Sequence, residues 1–321
     1  MRLHPNVSGA LIAASTVLAA AAPAAAEEFP TKPITLVIPF GPGGASDLTA
    51  RTFIHLSQEI LGQPMVIQTK PGGGGAIGSE FVAQAKPDGH TLLVGHTNCN
   101  SILPAIAGQS KGPDDLAPVV RINTSGTVFV APTSAPFNNF KEMIAWAQAH
   151  PGELSASTAG TWSQVDFTWR TIERDYGLKM RNVSYPGGAE ALVALLGGHV
   201  TASLLSLPQT MPHITAGKLK ALAYLGSKRH RDLPNVATAE EQGFPKTLTV
   251  FKAIMAPKGT PRPVIDKLAA GFKKMLENPQ VVAAIEKLGE PVEFQGPDEF
   301  AQYWRAEYES YREMGKIFKK Q

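Results

Sequence analysis

Cysteine is almost absent: Cys99 is the single one in 321 residues, so no disulfide can form within the chain. Without a partnering histidine it reads as a small buried hydrophobe, and His96, only three residues away, falls in what reads as the same loop. Catalytic signatures are missing as well. No G-x-S-x-G elbow, H-E-x-x-H pair, P-loop or kinase motif occurs, and the eight histidines are scattered without metal-ligand spacing. The residues therefore point to no metal, no cofactor and no catalytic constellation. Charge of one sign is scarce too: 30 Lys and Arg stand against 27 Asp and Glu, a formal net charge of +3. With no basic stripe and interleaved aromatics, neither nucleic acid nor an anionic membrane surface is an expected partner.

Long apolar runs are confined to the start. Arg2 and His4 precede an Ala, Leu, Ile and Val-rich stretch from Ala10 to Ala22, and Ala24-Ala25-Ala26 follows. The stretch is shorter than the roughly 20 residues of a spanning helix, and the small residues after it suit a signal peptidase, so residues 1–26 read as an export signal. The remainder is long enough for about two domains, each with its own core. No repeat or low-complexity segment is visible beyond the signal.

From Ile34 to about Gly126, β-like runs (Ile34–Pro39, Met65–Thr69, Thr91–Gly95, Val119–Ile122) alternate with helical ones (Asp47–Leu61, Ile77–Ala85, Ser101–Ala107). Such alternation predicts a parallel sheet with helices on its faces, and ligands gather at the carboxyl ends of such strands. The plan recurs from Thr127, with strands at Val128–Ala131, Leu154–Ser157, Met180–Tyr185, Val200–Leu205 and Ala221–Leu225, and helices at 139–149, 163–176 and 189–196. A last β run, Leu248–Met255, precedes helices at 264–278, 279–288 and 297–319, which are expected to return to the first domain.

The stretch Pro39-Phe40-Gly41-Pro42-Gly43-Gly44-Ala45-Ser46-Asp47 is the most informative. It joins a β run to an amphipathic helix through backbone with few side chains, Ser46 or Asp47 can cap the helix, and a helix N-terminus favours negative charge. It predicts a carboxylate or phosphate binder. A second run, Pro71 to Gly78, contains a literal G-x-G-x-x-G from Gly73 to Gly78 after a β run and before a helix, which keeps a nicotinamide-dependent oxidoreductase in view. Against it, the next strand ends in His96-Thr97-Asn98 rather than an acid, and the nearest acid, Asp88, precedes that strand. Small and polar residues gather at strand ends in both halves: Gly43 to Asp47, His96 to Asn98, Thr158 to Gln164 and Tyr185 to Ala189. Singly each is ordinary turn chemistry. Together they fit a cleft whose walls close on a small anion.

Ordered landmarks then accumulate: Phe29 to Ile34, Pro39 to Asp47, Gly62-Gln63-Pro64, Lys70 to Gly78, Pro87 to Leu93, Leu195 to Gly198, Pro212 to Ala223 and Ala256 to Pro261. In this set the chain resembles the tripartite tricarboxylate transporter substrate-binding proteins, or Bug receptors, from about Phe29 to Lys319. The resemblance implies a monomeric, periplasmic α/β protein of the type II periplasmic-binding-protein fold, two lobes each with a central mostly parallel sheet flanked by helices. It implies a small organic carboxylate held between the lobes and delivered to membrane transporter subunits of the tripartite tricarboxylate type. Lobe 1 is then 27–126 with 252–321, and lobe 2 is 127–251, with hinges near Thr124–Val128 and Thr249–Lys252. A receptor presenting its ligand to a sensor would look the same.

The ligand-binding candidates are Phe40, Gly43, Gly44, Ala45, Ser46, Asp47, His96, Thr97, Asn98, Thr161, Trp162, Ser163, Tyr185, Gly187 and Leu205. The family holds its carboxylate through backbone amides and waters, so a site poor in Lys and Arg is expected, and the Pro71–Gly78 run is then structural. The chain departs from the family in Gly160-Thr161-Trp162-Ser163-Gln164-Val165-Asp166, where Trp162 and Asp166 replace a Gly and a His, and in Leu205-Ser206, where some members have an Asp. Without that Asp an amino-acid ligand is disfavoured. Trp162 either shapes the pocket or belongs to the core at the lobe edge.

Overall fold

Three short runs rich in branched aliphatics, Ile34–Ile38 (β1), Met65–Thr69 (β2) and Thr91–His96 (β3), lie side by side as parallel strands in the order β2-β1-β3. In the computed structural model the described residues are 29–158, 163–226, 228–244 and 249–318, with Met1; the expected export signal beyond Met1, Thr161 and Trp162 lie outside them. Strand β9 (Thr249–Pro257) joins β3 antiparallel, and β4 (Leu116–Pro132) joins β9 antiparallel. Four strands of this sheet thus run one way and β9 runs against them.

The second sheet is built the same way around β4. Beyond Gly126, β4 leaves β9 and pairs antiparallel with β7 (Ser203–Ser206) and β8 (Leu219–Tyr224). Strands β5 (Ser155–Thr158) and β6 (Arg181–Ser184) are parallel to each other, and β5 reaches the segment before β7 through a parallel bridge between Ala156 and Ala202. Sequence patterning separates Val119–Ile122 from Val128–Ala131, because Asn123-Thr124-Ser125-Gly126 reads as a break. Those polar residues instead pair with Lys252 to Thr249 of β9, and one 17-residue strand serves both sheets.

Side-chain alternation builds the layers. On β1, Ile34, Leu36 and Ile38 face one core with Leu92, Val94, Ile254 and Ala256, while Val37, Leu93, Ala253 and Met255 face the other. The first core is covered by α1 (Ala45–Phe53), α2 (Ser57–Leu61), α8 (Arg262–Glu277) and α9 (Pro279–Lys287); the second by α3 (Ala76–Ala83) and α10 (Pro297–Phe318). On β4, Phe129 and Ala131 face a core with α4 (Phe140–Ala149) and α5 (Gln164–Tyr176), and Val128 and Val130 face α6 (Gly188–Leu196) and α7 (Leu207–Thr215). Helix α7 escapes sequence patterning because Pro208 and Pro212 read as breakers. Pro208 sits in the first turn, where its missing N–H is harmless, and Leu207 and Thr210 are buried.

The second glycine run is a packing device. Gly72 to Gly75 all take positive φ, and Gly78 on α3 leaves no room for a side chain, since a Cβ there would lie 2.8 Å from Pro39 Cα and 3.0 Å from the Lys70 carbonyl. Gly78→Ala is expected to cost about 1–3 kcal/mol of stability by forcing that backbone apart, measured by urea unfolding; an unchanged midpoint would contradict this packing role.

Helix α10 does not serve the first domain alone. Phe300 and Trp304 pack in its core, whereas Tyr311 and Met314 join the core around Phe129 and Phe140. Between them Glu307 accepts hydrogen bonds from Ser101 Oγ (2.5 Å) and Thr97 Oγ1 (3.3 Å), and the Thr97 oxygen accepts the Phe251 amide of β9 (2.8 Å). Burial pushes the Glu307 carboxyl from 4.5 up to about 7. The folded state then keeps a proton that the unfolded chain has lost. The stabilisation is complete below pH 4.5 and is lost as pH rises to about 7. Comparing the wild type with Glu307→Gln from pH 4.5 to 7 should show a shallower loss in the variant; parallel curves would refute the assignment.

Candidate functional site

The turn after β1 delivers the start of α1 to a cleft between the two sheets. Asp47, in the first turn, is buried and faces away from that cleft: its carboxylate accepts the Gly43 amide (2.9 Å) and the Arg51 Nε–H (2.9 and 3.0 Å). This clamp shapes the loop and neutralises the acid one turn on. Gly44 is the N-cap and offers no side-chain cap, so the first-turn amides at Ala45 and Ser46 have no intrahelical acceptor.

Three helices of the second sheet begin at the same cleft. Helix α5 is capped by Ser163, which accepts the Asp166 amide, and Asp166 pairs with Arg170 as Asp47 pairs with Arg51. Helices α6 and α7 start at Gly187 and Ser206 without a side-chain cap. The Ser206 hydroxyl is turned to Gln209 Oε1 (2.7 Å). Three uncapped N-termini, α1, α6 and α7, thus border one space. Their partial positive charges add.

The floor of the cleft comes from the strands. Its lining joins Phe40, Gly44, Ala45, Ser46, His96 and Asn98 from one side to Ser157, Thr158, Ser163, Gln164, Gly187, Leu205 and Ser206 from the other, with Thr127, Val250 and Lys252 between. The empty volume is about 780 Å³, solvent at the mouth included, which suits a small molecule. Buried Lys252 is paired with buried Glu290, which also accepts from Asn123 Nδ2 (2.8 Å) and Thr49 Oγ1 (3.2 Å). His96 Nδ1 accepts the Asn98 amide (3.1 Å), so the neutral ring carries its proton on Nε2. Burial first, and the Lys252 ammonium second, push the His96 pKa down to about 3.

Among the described residues two hydroxyls in the lining lack partners. Ser46 Oγ and Thr127 Oγ1 are buried without a hydrogen bond, a state that costs about 1–3 kcal/mol unless something supplies an acceptor or donor. The walls also touch across the space. Asn98 donates from Nδ2 to the Gly74 carbonyl (2.6 Å) and accepts the Gln164 amide of α5 on Oδ1 (2.7 Å). The Glu190 carboxylate stands over Gly41, 3.2 Å from where a Cβ would be.

Among the sequence-predicted residues the cleft brings together Phe40, Gly44, Ala45, Ser46, His96, Asn98, Ser163, Gly187 and Leu205. Gly43 and Asp47 form the clamp behind the loop, Thr97 bonds Glu307 and Phe251, and Tyr185 borders a separate surface hollow with Glu190, Val193 and His199. Nothing from Gly72 to Gly78 lines the cleft; Gly74 positions Asn98 instead. Gln164, from the Thr158–Gln164 stretch, is in the lining as expected; sequence reading missed Thr127, Gln209 and above all Lys252, a cation in a lining expected to be poor in them. In sequence Lys252 interrupts an apolar β run, the one signal that could have marked it. Cys99 is buried and its thiol is pushed up to about 12, which rules out a reactive thiolate.

Residues 49–320 match the family model described as the tripartite tricarboxylate transporter family receptor, TctC. BugT of Bordetella pertussis is 33% identical over 285 residues, covering 87% of this chain and 87% of BugT. MatC from Rhodopseudomonas palustris, solved with bound malate, superimposes with a TM-score of 0.84 at 29% identity, over 89% of this chain and 100% of that one. A second R. palustris protein, solved with adipate, gives a TM-score of 0.84 at 25% identity over 90% and 97%. The architecture is the two-lobed α/β fold of periplasmic binding proteins, as the sequence led one to expect, and the family is one of receptors, so the oxidoreductase reading of Gly73–Gly78 is discarded. The chain belongs to the tripartite tricarboxylate transporter receptor family and is a periplasmic solute-binding protein of the TctC/Bug type.

Proposed function

We propose that the protein captures a small organic carboxylate between its two lobes, 27–126 with 252–321 and 127–251, and hands it as a monomer to a membrane transporter of the tripartite tricarboxylate type. The observation that carries this is the convergence of three uncapped helix N-termini from both lobes on one cleft with two partnerless buried hydroxyls. Oriented amides bind a carboxylate without a dedicated counter-ion, and closure removes water and strengthens each bond. Gly44, Ala45, Ser46, Gly187 and Gly188 supply the donors; Phe40, Leu205 and Val250 cover the carbon skeleton. Gly43 and Asp47 act by shaping the first loop. The malate and adipate bound by the two R. palustris proteins support this ligand class.

Purified protein should rise in melting temperature with at least one member of a panel of mono-, di- and tricarboxylates, aliphatic and aromatic, because a ligand at 100 times its Kd adds about 2.7 kcal/mol. A panel without a hit would sink the proposal. The Asn98 bond to Gln164 joins the lobes, so Asn98→Ala is expected to weaken binding about tenfold, mostly through faster dissociation. Stopped-flow traces with an unchanged off-rate would contradict a closing role for Asn98.

A further inference from the structure

Helix α10 holds a loop of the cleft without lining the cleft itself. Its Trp304 Nε1–H donates to the Asn100 carbonyl (2.9 Å), and its Glu307 carboxylate accepts the Ser101 (2.5 Å) and Thr97 (3.3 Å) hydroxyls. All three contacts fall on one short stretch. Thr97 stands between His96 and Asn98, which line the cleft, and Thr97, Asn100 and Ser101 are fully buried. Asn100 in turn accepts the His96 amide on Oδ1 (3.0 Å), so the stretch is pinned on both sides of its cleft-lining residues. It opens a π-helical segment, Asn98–Ala107, a rare geometry found mostly at functional sites. The far end of that segment leaves the first domain's cores: Ile102 and Ile106 pack with Tyr311 of α10 in the core around Phe129. Thr97 Oγ1 also accepts the amide of Phe251, which lies opposite Thr124 near the end of the β4–β9 pairing. Glu307 is therefore tied at once to the loop, to the hinge strand and to a helix shared by both domains.

We propose that Glu307 is a positioning residue for ligand binding: from outside the cleft it holds His96 and Asn98 in place through Thr97 and Ser101, and its negative charge, when present, lowers the affinity of the cleft for an anion. The proposal rests on the receptor reading above and adds to it a residue that touches no ligand. Among the described residues, the titratable groups about the carboxyl are Arg121 of β4, itself paired with Glu293, and Tyr303 and Tyr311 of α10, both kept as phenols by burial. The π-helical segment supplies the Ser101 hydroxyl, and β9 supplies the Phe251 amide through Thr97. Burial raises the carboxyl to about 7, against the Ser101 and Thr97 hydrogen bonds, which favour the ionised form. Glu307 thus changes charge near neutral pH. Ionised, it places a like charge behind the loop that presents His96 and Asn98 to the anion. Binding then draws a proton onto Glu307, and affinity falls as pH rises through about 7.

The test is isothermal titration of the purified protein with malate and adipate, the acids bound by the two R. palustris proteins, from about pH 6.5 to 8.5, above the ordinary carboxylate range. Wild-type affinity is expected to fall about threefold to tenfold across that range, and heats in buffers of different ionisation enthalpy should show proton uptake with the anion. Glu307→Gln keeps the size and an acceptor for the loop but carries no charge, so it should keep the wild type's low-pH affinity throughout. Ser101→Ala removes a bond that favours the ionised form, and its fall should come at higher pH than the wild type's. Glu307→Ala, which frees the loop, should bind about tenfold more weakly at every pH. A wild-type affinity flat with pH, an equal fall in Glu307→Gln, or full affinity in Glu307→Ala overturns the role and leaves the receptor reading intact. If the alanine variant does not fold, Glu307→Gln and Ser101→Ala decide. Should neither acid bind, the titration uses the carboxylate that raises the melting temperature in the panel above, and a panel without a hit removes the receptor reading and this role with it.

Discussion

The antiparallel pairing of β4 with β9 is the constraint from which the rest follows. Backbone hydrogen bonds run from Leu116 opposite Pro257 to Gly126 opposite Thr249, and at that point β4 passes to β7 and β8. Two sheets that share one strand cannot be placed independently. Their parallel strands end toward the same gap, and the segments leaving β1, β3, β6 and β7 meet there. Because βα loops at the carboxyl ends of parallel strands lead directly into helices, the shared strand also brings helix N-termini together.

Electrostatics in the cleft is arranged by what is turned away from it. Two of the first-turn acids, Asp47 and Asp166, pair with Arg51 and Arg170 on their own helices, so neither opposes an incoming anion, and the third, Glu190 of α6, stands by Gly41 and Gly187. The cation that does reach the cleft is held in the interior by Glu290. A buried pair of this kind is weak evidence for stability, since desolvation of two charges offsets much of their attraction. His96 contributes a neutral donor to the cleft, because burial beside Lys252 keeps the ring uncharged down to about pH 3.

Much of the scaffold was legible in the sequence because its signals are local. Ile34–Ile38 and Thr91–His96 announce themselves by branched residues, α5 and α8 by helical spacing of buried residues, and the turn at Gly43–Asp47 by its composition. The misreadings have physical causes. Polar Asn123 to Gly126 continue a strand because β9 supplies partners far away in sequence. Helix α7 forms through two prolines because Leu207 and Thr210 are buried by contacts no local window contains. Asp47, expected among the ligand contacts, spends its carboxylate on Gly43 and Arg51, a choice decided by rotamer and packing rather than by residue type.

Sequence alone determined the α/β alternation, the duplication of the plan and the resemblance to carboxylate receptors, since each depends on residue type and spacing along the chain. Tertiary structure decided which small polar residues share one cleft, that the second glycine run supports Asn98 instead of a cofactor, and that Glu290 meets Lys252 and Asn123. Those facts depend on which strands are neighbours. Lys252 faces His96 across a β pairing that spans nearly half the chain's length, and no periodicity within a window reports a contact of that kind.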